Sequence, residues 1–203
     1  MPTLQGLLFA LPALLIGLTL HEYAHGWVAY KLGDPTAKNM GRLTINPLKH
    51  IDPLGAIFLV LFHFGWAKPV PVNPMHFKGD RHKGMLLVAL AGPVTNLLIA
   101  LATALVFKIV NPQSVILQAL LAYTFEINLI LAVFNFIPVP PLDGSKILAG
   151  VLPRKYSHVI YNLEKYGYIV LIILMFTGII NRILIPVVQS IGSFITGLMG
   201  IQF

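Results

Sequence analysis

Long apolar stretches constrain this sequence more than any other feature. A membrane-spanning helix needs about 20 mostly apolar residues, and stretches of this kind occupy much of the chain. Only 10% of the residues are charged and 57% are hydrophobic, whereas an ordinary soluble domain is about one quarter charged. This composition excludes a water-soluble globule and a disordered chain. We therefore predict a single integral membrane domain over residues 1–203, with five spans at residues 4–30, 84–110, 115–137, 166–180 and 183–201.

The stretch 54–66 is ambiguous, because it has only thirteen residues and is interrupted by His63. If it does not cross the membrane, residues 31–83 and 138–165 share one side and carry twelve of the fourteen Lys and Arg residues. If it crosses, the split is six against eight. The positive-inside rule favours the first arrangement, with the N-terminus outside and the basic loops in the cytoplasm. We expect a re-entrant or interfacial segment here, and we attribute the net charge of +7 to topology rather than to nucleic-acid binding.

The motif His21-Glu22-Tyr23-Ala24-His25 stands near the inner end of the first predicted span. Residues four apart share one face of a helix, so both imidazoles can bind a single metal ion. Glu22 stands beside them, where a carboxylate can take a proton from water on the metal. The chain has no cysteine, so His, Asp or Glu must supply the ligands. The alternative is a chance match, but ionisable residues inside a span are costly and usually functional.

A catalytic zinc site needs three protein ligands and an open position for water. Asp143 is the candidate for the third ligand, in a segment (residues 135–144) that contains three prolines. Prolines break a helix, and irregular backbone at membrane depth is tolerated only against protein or a water-filled cavity. The five-span topology brings Asp143 to the same side as His21 and His25, whereas a sixth span would place it on the opposite side.

Three separated motifs resemble the site-2 protease family of intramembrane zinc metalloproteases. They are residues 21–25, residues 135–144 and the sequence Ala-Gly-Pro-Val-Thr-Asn at 91–96. The resemblance implies one Zn²⁺ per chain and hydrolysis of peptide bonds in transmembrane segments, as in regulated intramembrane proteolysis. By the same resemblance, the zinc ligands are His21, His25 and Asp143, the general base and acid is Glu22, and the substrate-binding or site-supporting residues are Asn135 and Asn96.

The fold expected from these features is an all-α polytopic membrane protein with about five transmembrane helices and the short segment 54–66. The resemblance adds a small membrane-associated β-sheet from residues 38–49 and 66–74, whose edge would hold an unwound substrate by strand addition. A connecting loop is the alternative. We expect a compact form of the family, without the inserted peptide-binding domain and the nucleotide-sensing domain of some relatives.

The expected location is the cell membrane, with the active site near the cytoplasmic side. The partners are the lipid bilayer and a membrane-protein substrate with a transmembrane helix, and no nucleic acid is expected. A homo-oligomer stays open, because Ser193 and Gly197 are small residues four apart, a weak signal for helix association.

The alternative function is a membrane metal carrier or sensor that uses the same ligands. Its weakness is Glu22, because transport requires ligands but no adjacent base. His50 and Asp52 suggest a second metal site, but we expect ordinary hydrogen bonding, since most buried polar groups are simply satisfied. The same holds for the scattered residues His63, His76, His82 and His158. Glu126 lies near the middle of a predicted span. It is interpreted either as a protonated, hydrogen-bonded packing group or as part of a path for water, and the sequence favours neither interpretation.

Overall fold

The computed structural model describes residues 4–62, 65–153 and 163–203. Within these ranges the backbone is mainly helical, with short 3₁₀ turns at Pro47–Lys49, Pro74–His76 and Glu164–Tyr166. The helices, in chain order, are α1 (Leu4–Lys31), α2 (Thr36–Asn39), α3 (Pro53–Phe62), α4 (Arg81–Val110), α5 (Val115–Asn135), α6 (Asp143–Val151), α7 (Gly167–Phe176) and α8 (Ile179–Met199).

Four of the described helices are long and apolar enough to cross a membrane: α1, α4, α5 and α8. Helices α1, α4 and α5 pack against one another, and α8 packs mainly against α5. Small side chains let the helices approach closely where lipid provides no hydrophobic drive for association. The core between α4, α5 and α8 accordingly combines small and large residues, namely Ala100, Ala104, Phe125, Leu129 and Ile195.

The ends of α4 follow directly from the sequence. The Asp80 carboxylate accepts hydrogen bonds from the backbone N–H groups of His82 and Lys83, which satisfies donors that have no partner within the first turn. At the other end Asn111 adopts a left-handed conformation with φ of 43°, and Pro112 follows. The helix therefore stops, and a short connection leads back into α5.

The prediction of five spans is wrong for the described residues, which contain four. Residues 166–180 hold only the ten-residue helix α7, which extends about 15 Å at 1.5 Å per residue. This helix ends because Gly178 takes a left-handed conformation with φ of 71°, and α8 begins at the next residue. In the stretch 54–66, helix α3 also has only ten residues, too few to cross; His63 lies outside the described residues.

The predicted β-sheet is also wrong, because the described residues contain no β-strand. Residues 38–49 form the end of α2, turns and a 3₁₀ turn rather than a strand. The single antiparallel bridge between Ile51 and Ala67 links the two regions expected to pair. An isolated bridge of this kind does not make a ladder.

The proline-rich segment (residues 66–73) shows why no ladder forms. Its prolines have no N–H group to donate to a neighbouring strand. Two of its remaining N–H groups donate to side chains instead: that of Val70 to Glu22 Oε2 at 2.8 Å and that of Asn73 to Asp34 Oδ2 at 2.7 Å. The segment is thus held by carboxylates of α1 and of the loop that follows it, so the backbone is satisfied without a sheet.

Asp34 anchors this loop from a fully buried position. Burial by itself raises the pKa of its carboxyl, but hydrogen bonds from Thr36, from the Asn73 backbone and from His76 outweigh burial and lower the pKa below its usual value. The His76 ring nitrogen Nδ1 lies 3.0 Å from Asp34 Oδ1. The ionised form of Asp34 therefore stabilises the folded loop.

Candidate metal centre

Helices α1 and α6 bring together the three predicted metal ligands. Asp143 Oδ2 lies 3.0 Å from His21 Nε2 and 3.2 Å from His25 Nε2, and the two Nε2 atoms are 3.0 Å apart. All three side chains are buried. His21 and His25 converge because they stand one helical turn apart, whereas Asp143 arrives as the first residue of α6, after the prolines that separate it from α5.

The opposite ring nitrogens of the two histidines point away from this centre. His21 Nδ1 lies 2.6 Å from Asn96 Oδ1, and His25 Nδ1 lies 2.7 Å from the carbonyl oxygen of Val88. Each Nδ1 therefore donates its hydrogen outward, so in the neutral ring the lone pair is on Nε2, which faces the other two candidate ligands. Such outer hydrogen bonds fix the tautomer and ring orientation of metal-binding histidines.

The donor set fits a cation. Two Nε2 lone pairs and one carboxylate oxygen face each other in a buried space, and Asp143 Oδ2 accepts no hydrogen bond from the described part of the chain. Three acceptors at such short range repel one another unless a positive charge lies between them. Two imidazoles and a carboxylate are ligands that zinc accepts, with a fourth position left for water.

Gly92 keeps the space beside these nitrogens open. A Cβ atom at this position would lie 2.5 Å from His21 Nε2 and 2.5 Å from His25 Nε2. Ordinary van der Waals contact begins at 3.4 Å, so every other residue type would push against both rings. The backbone of α4 can pass this close to the ligands only because residue 92 has no side chain.

Glu22 faces the same cavity as the three candidate ligands, and its carboxylate oxygen Oε2 accepts the Val70 N–H. The backbone beside Val70 is in turn held by Arg42, whose buried guanidinium donates to the Lys68 carbonyl at 2.8 Å. One oxygen of the carboxylate is thereby fixed by the backbone. A backbone N–H group, rather than a charged side chain, therefore orients the Glu22 carboxylate.

The cavity measures about 300 Å³ and is lined mainly by apolar residues of the segment 65–72 and of α4, α5 and α7. Asn135 lies on its wall and donates from Nδ2 to the Leu131 carbonyl at 2.9 Å. Lys146, three residues after Asp143, and Trp66 also line it, although the sequence analysis assigned neither residue to the site. An apolar cavity with a few polar groups is typical of a ligand-binding site.

The other polar residues singled out in the sequence lie away from this cavity. The ring of His50 bonds to the Thr44 carbonyl at 2.8 Å, and Asp52 accepts the Gly55 N–H at 2.9 Å, so neither joins a metal cluster in the described residues. Glu126 is exposed on α5. His76 pairs with Asp34 and His82 bonds to the Leu152 carbonyl, whereas His158 lies outside the described residues.

Asn96 stands directly behind His21, and it belongs to a buried hydrogen-bond network whose other side chain, Asn128, no sequence motif indicated. Its Nδ2 donates to Asn128 Oδ1 at 3.0 Å and to the Gly17 carbonyl at 3.1 Å. Asn128 is fully buried within the span α5. The cost of burying an amide in a membrane helix was the signal that could have marked it.

Comparisons with known proteins identify the family of the chain. The model of peptidase family M50 matches residues 9–117 and 106–180. No solved structure matches the chain.

Three curated relatives are named as zinc metalloproteases. YwhC of Bacillus subtilis is 40% identical over 185 residues, which cover 87% of this chain and 84% of YwhC. Rip2 of Mycolicibacterium smegmatis is 28% identical over 83% of this chain and 66% of its own length. Rip2 of Mycobacterium tuberculosis is 29% identical over 82% of this chain and 66% of its own length. The family match covers most of the sequence, and the chain therefore belongs to peptidase family M50, the family of the site-2 proteases predicted from its motifs.

Proposed function

We propose that this multi-pass M50 peptidase is an intramembrane zinc endopeptidase, with zinc held by His21, His25 and Asp143 and with Glu22 as the general base and acid. The observation that carries the proposal is the convergence of two Nε2 atoms and one carboxylate oxygen around a buried point beside Glu22. The zinc metalloprotease names of the relatives agree with this donor set. Membership of a peptidase family favours hydrolysis over the metal carrier or sensor.

The residues divide the chemistry between them. Zinc, when bound, supplies a Lewis acid that polarises the scissile carbonyl and acidifies water. The Glu22 carboxylate accepts a proton from the attacking water and returns it to the nitrogen of the leaving amine. The Val70 N–H holds Oε2 of this carboxylate, so the other oxygen is free to face the water. Buried apolar walls exclude bulk water and strengthen every electrostatic contact within the site.

The substrate is the transmembrane segment of another membrane protein. Helical backbone hides its carbonyls in hydrogen bonds, so the segment must unwind locally before it reaches the ligands. The Asn135 amide on the cavity wall is suited to bind the backbone that unwinding exposes. The apolar wall residues Leu131, Phe134 and Leu171 are suited to the side chains of such a segment.

We place the site towards the cytoplasmic side. His21 and His25 lie ten and six residues before the end of α1 at Lys31, or about 9–15 Å from that end at 1.5 Å per residue. The bias of Lys and Arg towards the loops at this end supports a cytoplasmic orientation. Regulated intramembrane proteolysis is the biological role that such a site would serve, and the helix α8 surface that contains Ser193 and Gly197 is the candidate contact for a homo-oligomer.

The substitution Glu22→Gln tests the proposal, with Glu126→Gln as its matched control. Glu22→Gln should keep about one zinc per chain and lose cleavage of a transmembrane peptide, because the base is not a ligand. Glu126→Gln removes the other intramembrane glutamate, which is exposed on α5, and should keep both zinc and cleavage. Cleavage by Glu22→Gln at the wild-type rate would contradict the mechanism, and a wild-type protein without zinc would contradict the site.

A further inference from the structure

A chain of hydrogen bonds runs from α5 through α4 to the first histidine of α1. Asn128 Nδ2 donates to the Thr124 carbonyl at 2.9 Å, and Asn96 Nδ2 donates to Asn128 Oδ1 at 3.0 Å. Asn96 Oδ1 then lies 2.6 Å from His21 Nδ1. Asn96 and Asn128 are both fully buried, so no bulk water can replace a partner that is lost.

Two backbone carbonyls fix the direction of the hydrogen bonds in this network. A carbonyl can only accept, so the Thr124 carbonyl requires the NH₂ group of Asn128 and turns its Oδ1 towards Asn96. The Gly17 carbonyl also accepts from Asn96 Nδ2, at 3.1 Å. The two amide hydrogens of Asn96 are therefore both used, and only its oxygen remains for His21.

The consequence reaches the metal centre through the tautomer of His21. Facing the oxygen of Asn96, Nδ1 must carry the hydrogen, so in the neutral ring the lone pair is on Nε2, which lies 3.0 Å from Asp143 Oδ2. If the Asn96 amide turned over, its oxygen would face two other oxygens, those of Gly17 and Asn128. Its NH₂ group would then face Nδ1 and favour the tautomer with hydrogen on Nε2, which cannot bind a metal.

We propose that Asn128 is a positioning residue for zinc: it fixes the orientation of the Asn96 amide and thereby keeps His21 in the tautomer that can bind the metal. The inference rests on the proposed role of His21 as a ligand. Asn128 itself touches neither the ligands nor the cavity, and it acts through Asn96.

The packing around Asn128 supports the proposed positioning role of this residue. A Cβ atom at Gly17 would lie 2.8 Å from Asn128 Oδ1, so α1 and α5 approach this closely because residue 17 has no side chain. A buried amide in a membrane helix is costly unless its groups are paired. The close approach of α1 at Gly17 leaves Asn128 Oδ1 in a position where it accepts the hydrogen bond from Asn96.

The first experiment measures zinc affinity of purified protein by competition with a chromophoric chelator. Asn128→Leu is close in size and removes both hydrogen-bonding groups, so we expect zinc affinity to fall about 10–100-fold, as for other losses behind a metal ligand. Asn128→Asp, as a buried neutral carboxylic acid, keeps an acceptor oxygen for Asn96 and an O–H donor for the Thr124 carbonyl, so it should stay close to the wild type. Thr103→Val removes another buried hydrogen bond of the spans, from Thr103 Oγ1 to the Ile99 carbonyl, and should leave zinc affinity unchanged.

The second experiment requires no variant of Asn128. In ¹⁵N-histidine-labelled, metal-free wild-type protein, the His21 resonances, assigned by their loss in His21→Gln, should report hydrogen on Nδ1. A His21 Nδ1 without hydrogen would overturn the proposal even if Asn128→Leu failed to fold. Equal zinc affinity of Asn128→Leu and Thr103→Val, or an equal loss in Asn128→Asp and Asn128→Leu, would also overturn it. A wild-type protein that binds no zinc would instead contradict the proposed function.

Discussion

The substitution Gly92→Ala offers a sharp test of the proposed metal centre, because the added methyl group would occupy the space beside two of the proposed ligands. Its Cβ would lie 2.5 Å from the Nε2 atoms of His21 and His25, whereas ordinary contact begins at 3.4 Å. At least one ring must therefore move by roughly 1 Å. Zinc sites tolerate deviations of only about 0.2 Å from their ligand distances, so a shift of this size detaches a ligand.

The same substitution should disturb the fold much less than the metal site. Overpacking a buried position costs about 1–3 kcal/mol, but replacing a helical glycine with alanine regains about 1 kcal/mol of helix propensity. The net loss in the free energy of unfolding is therefore on the order of 0–2 kcal/mol. We expect Gly92→Ala to accumulate as a folded protein that has lost zinc and proteolysis, measured by metal analysis, thermal unfolding in detergent and cleavage of a transmembrane peptide.

Gly192→Ala is the matched control, since it makes the same change within helix α8, where a Cβ would meet Leu129 at 3.4 Å and Phe125 at 3.8 Å, both within ordinary contact. It should keep zinc and activity and should gain up to about 1 kcal/mol of stability. If Gly92→Ala retains a full complement of zinc and cleaves at the wild-type rate, the geometry described for the ligands is wrong. Equal loss of zinc in both variants would show that the effect is not local.

Three further predictions concern the third ligand, the topology and the loop after α1. Asp143→Asn removes the charged oxygen ligand, so zinc affinity should fall steeply together with activity, whereas Glu22→Gln should lose activity alone. Metal analysis of the two variants distinguishes the ligand from the base. Unchanged zinc content in Asp143→Asn would argue against ligation by Asp143. Lys49→Cys should react with an impermeant thiol reagent only from the cytoplasmic side and Gln113→Cys only from outside, and the reverse pattern would refute the orientation. Because the pKa of Asp34 is lowered in the folded protein, its stabilisation is complete above the unfolded pKa of about 3.9 and is lost as pH falls through the folded value. Asp34→Asn should therefore flatten the fall in melting temperature below about pH 5, and parallel profiles for wild type and variant would contradict this origin.

The correct sequence predictions rest on regular local geometry. The helical repeat alone places His21 and His25 on one face, and it requires no knowledge of the fold. The spans α4 and α5 follow from apolar length, and their bounds lie within a few residues of the predicted 84–110 and 115–137. Membership of the site-2 protease family also followed from short motifs, because those motifs combine metal-binding side chains with helix-breaking prolines.

The wrong predictions, a span at 166–180 and a β-sheet, concern segments in which backbone conformation and backbone hydrogen bonds decide the structure. Hydropathy and residue alternation describe neither. Residues 166–180 are apolar enough for a span, but Gly178 adopts a left-handed conformation that ends α7 after ten residues. Residues 66–74 contain prolines that favour extended structure, yet extended backbone becomes a sheet only if its N–H groups find strand partners. Here the N–H groups of Val70 and Asn73 donate to carboxylates from distant parts of the chain.

The sequence by itself determined which atoms could bind the metal, since the ligand types and the turn of α1 that presents the two histidines are local properties. Tertiary structure alone decided which nitrogen of each ring faces the metal position. The partners of the two Nδ1 atoms, Asn96 Oδ1 and the Val88 carbonyl, lie on α4, 75 and 63 residues away in the chain. Such contacts depend on how the helices pack and on which buried hydrogen-bond donors are cut off from water. No local sequence pattern specifies either of these.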